Sequence, residues 1–285
     1  MRVIRPILPA LAVALGLVCP AIAADQAVRQ HGDDKAALRH GDDEAACFLL
    51  HEIGVGDTTR GPATACDRRL TPASTFKIPH ALAALDAGVL DGAKTRFAWD
   101  QRPLAVESWR HDHTLETAMR YSVVWYFQRV AERMGLEREE AYLKRFDYGN
   151  ALTGGALTSF WLGGELAISP LEQMVFLRRF FGGSLPVRPE ATVTVQAILV
   201  QPPGIVFNSR GEHPFDAPWP AGTTLRAKTG SATDRTGSEV RWLVGQARRG
   251  GRSWIFVTCV TGGPDLPADA AIALAARRLR EEKVL

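Results

Sequence analysis

The sequence predicts an α/β (α+β) fold, in which a central mixed, antiparallel-rich sheet is flanked by helices and carries an inserted helical lobe. Three observations support this prediction: a strand pattern near residues 45–53, a largely helical middle, and three consecutive strand patterns followed by a closing helix. The chain has 285 residues, of which 46% are hydrophobic and 23% charged. That composition is typical of a globular protein and excludes disordered, collagen-like and coiled-coil classes.

Residues 1–23 are predicted to be a signal peptide that is cleaved, which leaves residues 24–285 as the folded domain. Arg2 and Arg5 give a positive start, residues 7–18 are apolar, and Ala21-Ile22-Ala23 is a small-x-small cleavage pattern. The apolar run is shorter than the roughly 20 residues that span a bilayer, so cleavage is favoured over a membrane anchor.

A lipoprotein is the less favoured alternative for this leader. Cys19 is in a suitable place, but Val18 is branched where a small residue is wanted. The expected product is an exported protein, located in the periplasm if the source is Gram-negative.

The charge balance limits the partners that we expect. The net charge is +3, and the loss of Arg2 and Arg5 with the leader lowers it from +3 to +1. A nearly neutral chain without a basic run is not expected to bind nucleic acid. The sequence leaves open whether the protein is a monomer or a homodimer.

The first secondary-structure elements can be assigned from local patterns. Residues 45–53 are predicted to form a strand and residues 54–57 its turn. A helix is then expected from Thr71-Pro72-Ala73 onward, and Pro79 predicts that its first turn is irregular or kinked. Four apolar residues share one face of this helix: Ile78, Leu82, Leu85 and Val89.

Three further helices are predicted in the middle of the chain. One follows Ser122, another covers residues 170–181, and the next covers about residues 190–200. In the helix at 170–181 we expect Leu171, Val175 and Phe176 to face inward.

The C-terminal part predicts strands, then a helix. The strands cover residues 223–232, 240–247 and 253–260, with Arg249-Gly250-Gly251-Arg252 as the hairpin between the last two. A helix over about residues 267–283 closes the chain.

Export changes how the cysteines are interpreted. In an oxidising compartment Cys47 and Cys66 could form a disulfide, which in the chain-entropy model stabilises a loop of this size by about 3 kcal/mol. The alternative is two buried free thiols. Cys259 lies in a predicted central strand, where it is most simply a small core residue.

The strongest chemical signal is the run Ser74-Thr75-Phe76-Lys77. A serine and a lysine three residues apart at a helix start lie on one face, which places a possible base beside a possible nucleophile. The helix N-terminus adds backbone N–H groups that favour a developing oxyanion. Alone, this short pattern more often marks a capped helix with an exposed lysine.

Two companion motifs favour the catalytic interpretation. Lys228-Thr229-Gly230 lies in a predicted strand, where the lysine supplies a cation for an anionic substrate and the glycine permits close approach. Ser122-Val123-Val124 precedes a helix, although Ser122 could be an ordinary N-cap. The order of the three motifs is typical of serine enzymes that recognise penicillin.

The whole motif set resembles that of the class D β-lactamases, the oxacillinases. The residues that carry the resemblance are Pro72-Ala73-Ser74-Thr75-Phe76-Lys77-Ile78-Pro79, Ser122-Val123-Val124, Tyr148-Gly149-Asn150, Phe160-Trp161-Leu162 and Lys228-Thr229-Gly230. The resemblance implies the β-lactamase/transpeptidase-like fold over residues 24–285. It also implies hydrolysis of penicillin-type antibiotics through a serine acyl-enzyme, and thereby antibiotic resistance.

The resemblance also implies how the base arises. A lysine with its ordinary pKa is protonated at neutral pH and cannot accept a proton, but burial lowers that pKa. In the family, the neutral lysine captures CO₂ from dissolved bicarbonate, so Lys77 is expected to be an N6-carboxylysine. No other cofactor and no metal is expected. Val124 and Phe76 are expected to keep the pocket dry, with the Trp161 indole N–H holding the carbamate.

The same resemblance assigns the remaining roles. Backbone N–H groups of Ser74 and Ser231 are expected to form the oxyanion hole. Ser122 is expected to relay a proton to the leaving nitrogen, with Lys228 beside it. Thr229 and Gly230 are expected to bind the substrate together with Lys228.

One departure from the family pattern concerns the substrate carboxylate. Many members carry an arginine shortly after a Leu-Pro near the C-terminus, but here Leu266-Pro267 is followed by Ala268 and Asp269. Either a gap shifts the alignment here, or Arg235, Arg241 or another cation substitutes. The departure puts the substrate range in doubt and leaves the reaction class unchanged.

Rival functions share much of this site. A penicillin-binding peptidase or a β-lactam sensor domain is acylated in the same way but does not turn over. His111-Asp112-His113 suggests part of a metal site, yet no further ligand has a recognisable spacing, so loop packing is favoured.

Overall fold

The computed structural model describes residues 45–215 and 219–285. The predicted signal peptide, residues 1–23, lies outside the described residues. Within residues 45–215 and 219–285, none of the helices combines the length and the apolar character that crossing a bilayer requires.

The described residues are organised around a six-stranded sheet. Its strands are β1 (Ala46–Glu52), β2 (Gly56–Arg60), β5 (Val200–Gln201), β8 (Thr224–Thr233), β9 (Glu239–Arg249) and β10 (Arg252–Gly262), in the spatial order β2-β1-β10-β9-β8-β5. The predicted fold class is confirmed, and every pairing in this sheet is antiparallel. Consecutive strands β8, β9 and β10 are joined by tight turns, which allow only antiparallel pairing.

Two small ribbons accompany the main sheet. Strands β3 (Arg96–Phe97) and β4 (His113–Thr114) form one, and β6 (Ile205–Asn208) and β7 (Gly211–Pro214) form the other. The β6–β7 hairpin lies between the helical lobe and β8 in the sequence and was not predicted.

The predicted helical insertion lies between β2 and β5. Its α-helices are α1 (Ala63–Asp67), α2 (Lys77–Asp86), α3 (Leu115–Arg120), α4 (Val124–Met134), α5 (Leu136–Phe146), α6 (Pro170–Phe181) and α7 (Pro189–Ile198). Short 3-10 helices cover Ala73–Phe76 and Glu107–Trp109. Helix α8 (Ala270–Glu281) follows the last strand.

Alternate residues of the central strands fill two separate cores. On one face of β10, Phe256 packs with Ile272 and Leu279 of α8. On the other face, Val257 belongs to the larger core that includes the helical lobe. Because successive side chains of a strand point to opposite faces, one apolar run serves both cores.

Pro79 disturbs the helix less than the sequence suggests. The chain enters α2 through the 3-10 helix Ala73–Phe76, so Pro79 occupies the third position of the α-helix. A backbone N–H there has no partner within the α-helix, so proline removes no bond from it. Val89 lies beyond the last residue of α2.

The predicted inner face of α6 is partly wrong. Phe176 is buried as expected, but Leu171 and Val175 are 41% and 53% exposed. The helix instead turns Gln173 inward, where its amide donates to Thr75 Oγ1 at 2.8 Å. The apolar residues alone therefore did not identify the buried face of α6, because that face also includes this hydrogen-bonded amide.

Cys47 and Cys66 form a disulfide in the structure, with Cα atoms 5.2 Å apart. Cys259 is a buried free thiol directly opposite Cys47 in the β1–β10 pairing. Burial raises the pKa of the Cys259 thiol, so it packs as a small apolar side chain in the core.

Candidate active site

Ser74 is presented by the 3-10 helix that leads into α2. The turn is closed by Thr75, whose Oγ1 donates to the Pro72 carbonyl at 2.7 Å and accepts from Gln173. Ala73 adopts φ +49°, an uncommon backbone for a residue with a side chain, immediately before the serine. Side chains three residues apart eclipse each other in a 3-10 helix, so Lys77 stands over Ser74.

Lys77 and Ser74 are in direct contact. The lysine Nζ donates to Ser74 Oγ at 2.8 Å, and the Lys77 side chain is completely buried. Burial, with a smaller contribution from the charge of Lys228, holds the pKa of Lys77 well below its ordinary value. The amine that touches the Ser74 hydroxyl is therefore easier to deprotonate than an exposed lysine.

Aromatic rings surround the lysine. Nζ lies 5.4 Å from the centroid of the Phe127 ring. Phe76 packs against Trp161 with ring centroids 5.6 Å apart. The Trp161 side chain is fully buried, and its Nε1–H has no hydrogen-bond partner among the described residues. A buried donor without an acceptor is costly, so this N–H is a place where an added acceptor is favoured.

Ser122 meets Lys228 in a second serine–lysine contact. Lys228 Nζ donates to Ser122 Oγ at 3.0 Å and to the carbonyl of Thr229 at 3.0 Å. Ser122 has φ +56°, and the N-cap of α4 is Val123, so the serine is not an ordinary helix cap. The strained backbone turns the hydroxyl toward β8 instead of the helix.

Burial also changes the charge of Lys228. The residue is almost inaccessible, and desolvation lowers its pKa to about 7. Near neutral pH the amine is therefore divided between its charged and neutral forms, which suits a group that exchanges protons with Ser122.

Gly230 permits the close approach of β8 to the nucleophile. A Cβ at this position would lie 3.1 Å from the Pro72 carbonyl oxygen and 3.1 Å from Thr75 Cγ2, both in the turn that carries Ser74. Any larger residue would push the strand away from the 3-10 helix.

A cavity of about 120 Å³ joins these elements. Six of the predicted residues line it: Ser74, Ser122, Val124, Thr229, Gly230 and Ser231. The other three, Lys77, Lys228 and Trp161, are buried and reach the site through the contacts given above. The structure thus brings the sequence-distant motifs to one place.

Several residues of the site were not found from the sequence. The walls also include Trp109 and, from the β6–β7 hairpin, Asn208 and Arg210. They belong to no short motif, so only the folded chain places them at the site.

A buried histidine–glutamate contact beside the lysine pocket was also missed. His80 Nε2 lies 2.7 Å from Glu139 Oε1, and both side chains are almost completely buried. The His80 ring packs against Phe76, Phe127 and Trp161. His80 follows Lys77 by three residues, so the sequence could have predicted its position beside the pocket. The burial of Glu139 could not be predicted in this way.

Removing one member of this pair is expected to destabilise the fold. Glu139→Gln should lower the free energy of unfolding by about 1–3 kcal/mol, because it replaces the buried carboxylate oxygen that lies 2.7 Å from His80 Nε2. The measurement is urea unfolding, compared with Glu137→Gln in the exposed part of α5, which should change it by less than about 1 kcal/mol. Equal effects of the two substitutions would contradict the importance of the buried pair.

The His111-Asp112-His113 segment is a loop that ends in the first residue of β4. Both ring nitrogens of His113 lie 3.0 Å from protein oxygens, Thr117 Oγ1 and the Ser108 carbonyl. Asp112 pairs with Arg96. In the described part of the chain, no group of three or more His, Cys, Asp or Glu side chains could hold a metal ion.

The arrangement is suited to acyl transfer. It combines a hydroxyl, a buried lysine amine in contact with it, a second hydroxyl–amine pair for proton transfer, and a strand beside the cavity. Ser74 and Ser231, whose backbone N–H groups are the expected oxyanion donors, both line this cavity.

The chain matches proteins of known family. Residues 56–280 match the penicillin binding protein transpeptidase domain. The chain is 34% identical over 226 residues to β-lactamase OXA-1 of Escherichia coli, which covers 76% of each protein. It is also 34% identical to β-lactamase OXA-48 of Klebsiella pneumoniae, over 75% of this chain and 74% of that protein.

Solved structures of the same family are also similar to this chain. The class D β-lactamase from Bacillus subtilis superposes with a TM-score of 0.73 at 30% identity, covering 85% of this chain and 93% of that one. The class D β-lactamase BAT-2 also superposes with a TM-score of 0.73 at 30% identity.

Proposed function

The chain belongs to the class D β-lactamases, and on that basis we propose that it hydrolyses the β-lactam ring of penicillin-type antibiotics through an acyl-enzyme on Ser74. The activity makes it an antibiotic-resistance enzyme. The observation that carries the proposal is the 2.8 Å contact between the buried Lys77 amine and Ser74 Oγ.

We propose that Lys77 is carbamylated when the enzyme works. A neutral amine reacts with CO₂ to give a carbamate anion and a proton, and the lowered pKa of Lys77 provides the neutral form. Among the described residues, no acidic side chain forms an ion pair with Lys77, so the pocket offers no competing anion. The free Nε1–H of Trp161 fits the acceptor oxygen that the carbamate would bring.

Bound to Lys77, the carbamate supplies an anionic general base beside Ser74. Ser74 Oγ gives up its proton and attacks the lactam carbonyl carbon, and the C–N bond of the ring then breaks. The backbone N–H groups of Ser74 and Ser231 stabilise the oxyanion. Water next attacks the ester, which regenerates the Ser74 hydroxyl and releases the opened product.

The remaining motif residues hold the substrate and move its protons. Ser122 Oγ accepts a hydrogen bond from Lys228 Nζ at 3.0 Å, and it passes a proton to the departing ring nitrogen. Thr229 and Gly230 line the cavity on the side of β8, where they contact the substrate. Val124 lines the opposite wall at the start of α4 and limits the entry of water to the lysine pocket.

We propose further that residues 24–285 are the catalytic domain, and that residues 1–23 direct the protein to the periplasm before they are removed. The leader pattern of Arg2 and Arg5, an apolar run and Ala21-Ile22-Ala23 supports this location.

Removal of bicarbonate tests the proposed function. Wild-type enzyme should hydrolyse many equivalents of benzylpenicillin, and degassed, bicarbonate-free buffer should reduce kcat by up to about 100-fold because the general base is lost. Added bicarbonate should restore it. The measurement is the steady-state rate at a series of bicarbonate concentrations. Consumption of a single equivalent, with bicarbonate present, would instead identify a penicillin-binding or sensor protein.

A matched pair of tryptophan variants tests the role of the indole N–H. Trp161→Phe should need about 10- to 100-fold more bicarbonate for half-maximal rate, because a hydrogen bond to a charged group is lost. Trp219→Phe should behave as wild type, since the Trp219 N–H donates to the Phe215 carbonyl at 2.7 Å, outside the cavity walls. Equal bicarbonate requirements in the two variants would remove Trp161 from this role.

A further inference from the structure

We propose that Arg210, at the turn of the β6–β7 hairpin, binds the carboxylate of the β-lactam substrate. The inference rests on the proposed function and names a residue that sets its substrate preference. Of the described residues that line the cavity, Arg210 alone carries a permanent charge, and the others are neutral polar or apolar. Penicillins carry a carboxylate, and a guanidinium can bind both of its oxygens at once.

The hairpin is fixed above the site from two sides. On the side of the sheet, Thr229 Oγ1 lies 3.5 Å from the Phe207 carbonyl oxygen. On the side of the helical lobe, Ser108 Oγ donates to the Ser209 carbonyl at 3.2 Å. The turn itself is held by the Arg210 backbone N–H, which donates to Asn208 Oδ1 at 2.7 Å. Arg210 is thus carried by an anchored turn that bridges the two walls of the cavity.

The Phe207 ring adds apolar contacts to this anchor. It meets Tyr121 edge-on, with ring centroids 5.6 Å apart. The Arg120 guanidinium lies 5.5 Å from the centroid of the same ring. Both contacts come from the two residues just before Ser122, so the hairpin packs directly against the segment that carries the Ser122-Val123-Val124 motif.

The other cationic side chains near the site are either paired with protein groups or do not line the cavity. Arg241 forms an ion pair with Glu239 at 2.6 Å. Lys228 is buried against Ser122 and is only partly charged near neutral pH, since burial lowers its pKa to about 7. Arg235 lies in the turn after β8 and does not line the cavity.

The segment after Leu266-Pro267 brings no cation to the cavity wall either. Ala268, which follows Leu266-Pro267, lines the cavity and presents a methyl group there. Arg210 itself forms no ion pair with any acidic side chain in the described ranges, so its guanidinium is available to an anion. The charge that the chain lacks at Ala268 is therefore present on the hairpin.

The test compares a penicillin with its carboxylate methyl ester. Arg210→Ala should lower kcat/KM for benzylpenicillin by about 10- to 100-fold, mainly through KM, because a charge-assisted contact is lost. The value for the methyl ester should change by less than about threefold, so the preference for the acid largely disappears. Arg210→Lys should restore part of that preference, since it returns the charge without the planar fork.

The controls separate the possible failures. Arg248→Ala, at an exposed position near the end of β9, should keep the wild-type preference. An unchanged preference in Arg210→Ala, or its loss in Arg235→Ala instead, would overturn the inference while the proposed function stands. Equal loss for acid and ester would also overturn it, because it would indicate a collapsed hairpin. Failure of the wild type to hydrolyse either compound would reject the proposed function and the inference together.

Discussion

Ser74→Ala is expected to reduce penicillin hydrolysis by at least about 10⁴-fold, because it removes the hydroxyl that contacts the buried amine of Lys77, the proposed base. Ser122, the nearest alternative nucleophile, is hydrogen-bonded to Lys228 and not to Lys77. Rate loss alone does not prove covalent catalysis, so intact-mass measurement after rapid quenching is the decisive readout. The wild type should show one adduct of the penicillin's mass, and Ser74→Ala none.

Ser184→Ala is the matched control for this substitution. Ser184 is exposed at the end of α6, and its hydroxyl makes one long contact with the Arg179 carbonyl. The control should keep both the rate and the adduct. A penicillin adduct that persists in Ser74→Ala would place the nucleophile on another residue and contradict the mechanism.

Lys77→Ala is expected to lower kcat by about 10²- to 10⁴-fold, because it removes the general base from both half-reactions. The loss should be independent of bicarbonate, in contrast to the wild type. The acyl-enzyme that does form should persist, since the water that cleaves it is no longer activated. Stopped-flow absorbance and intact mass measure the two steps separately.

The comparison that controls for the loss of a lysine is Lys144→Ala. Lys144 is exposed near the end of α5, so its removal should leave rate and bicarbonate response unchanged. If Lys77→Ala still responded to bicarbonate, the carbon dioxide would act elsewhere and the role of Lys77 would be wrong.

The part of the site that the sequence predicts is the part encoded locally. Ser74 and Lys77 are one turn apart, so helical geometry alone brings them together. The strand that carries Lys228 follows from its own pattern. The contact between Ser122 and Lys228 joins residues 106 positions apart, and only the resemblance to a family predicted it.

Other features of the fold and the site depend on tertiary packing, and the sequence did not predict them. Leu171 and Val175 were expected inside, but the buried amide of Gln173 sets the rotation of α6. Glu139 looks like a surface residue in the sequence, and only its contact with His80 explains its burial. The hairpin that carries Arg210 has two strands of only four residues, and its apolar residues Ile205, Val206 and Phe207 are consecutive, so no apolar periodicity marks it.

The account depends most on the carbamate at Lys77, and ¹³C NMR of the enzyme in ¹³C-labelled bicarbonate tests it most directly. The wild type should give a single carbamate resonance whose intensity rises with bicarbonate in parallel with the rate. Lys77→Ala should lack that resonance, and Lys144→Ala should keep it. A wild-type enzyme that hydrolyses penicillin at full rate without a Lys77-dependent carbamate resonance would contradict the account.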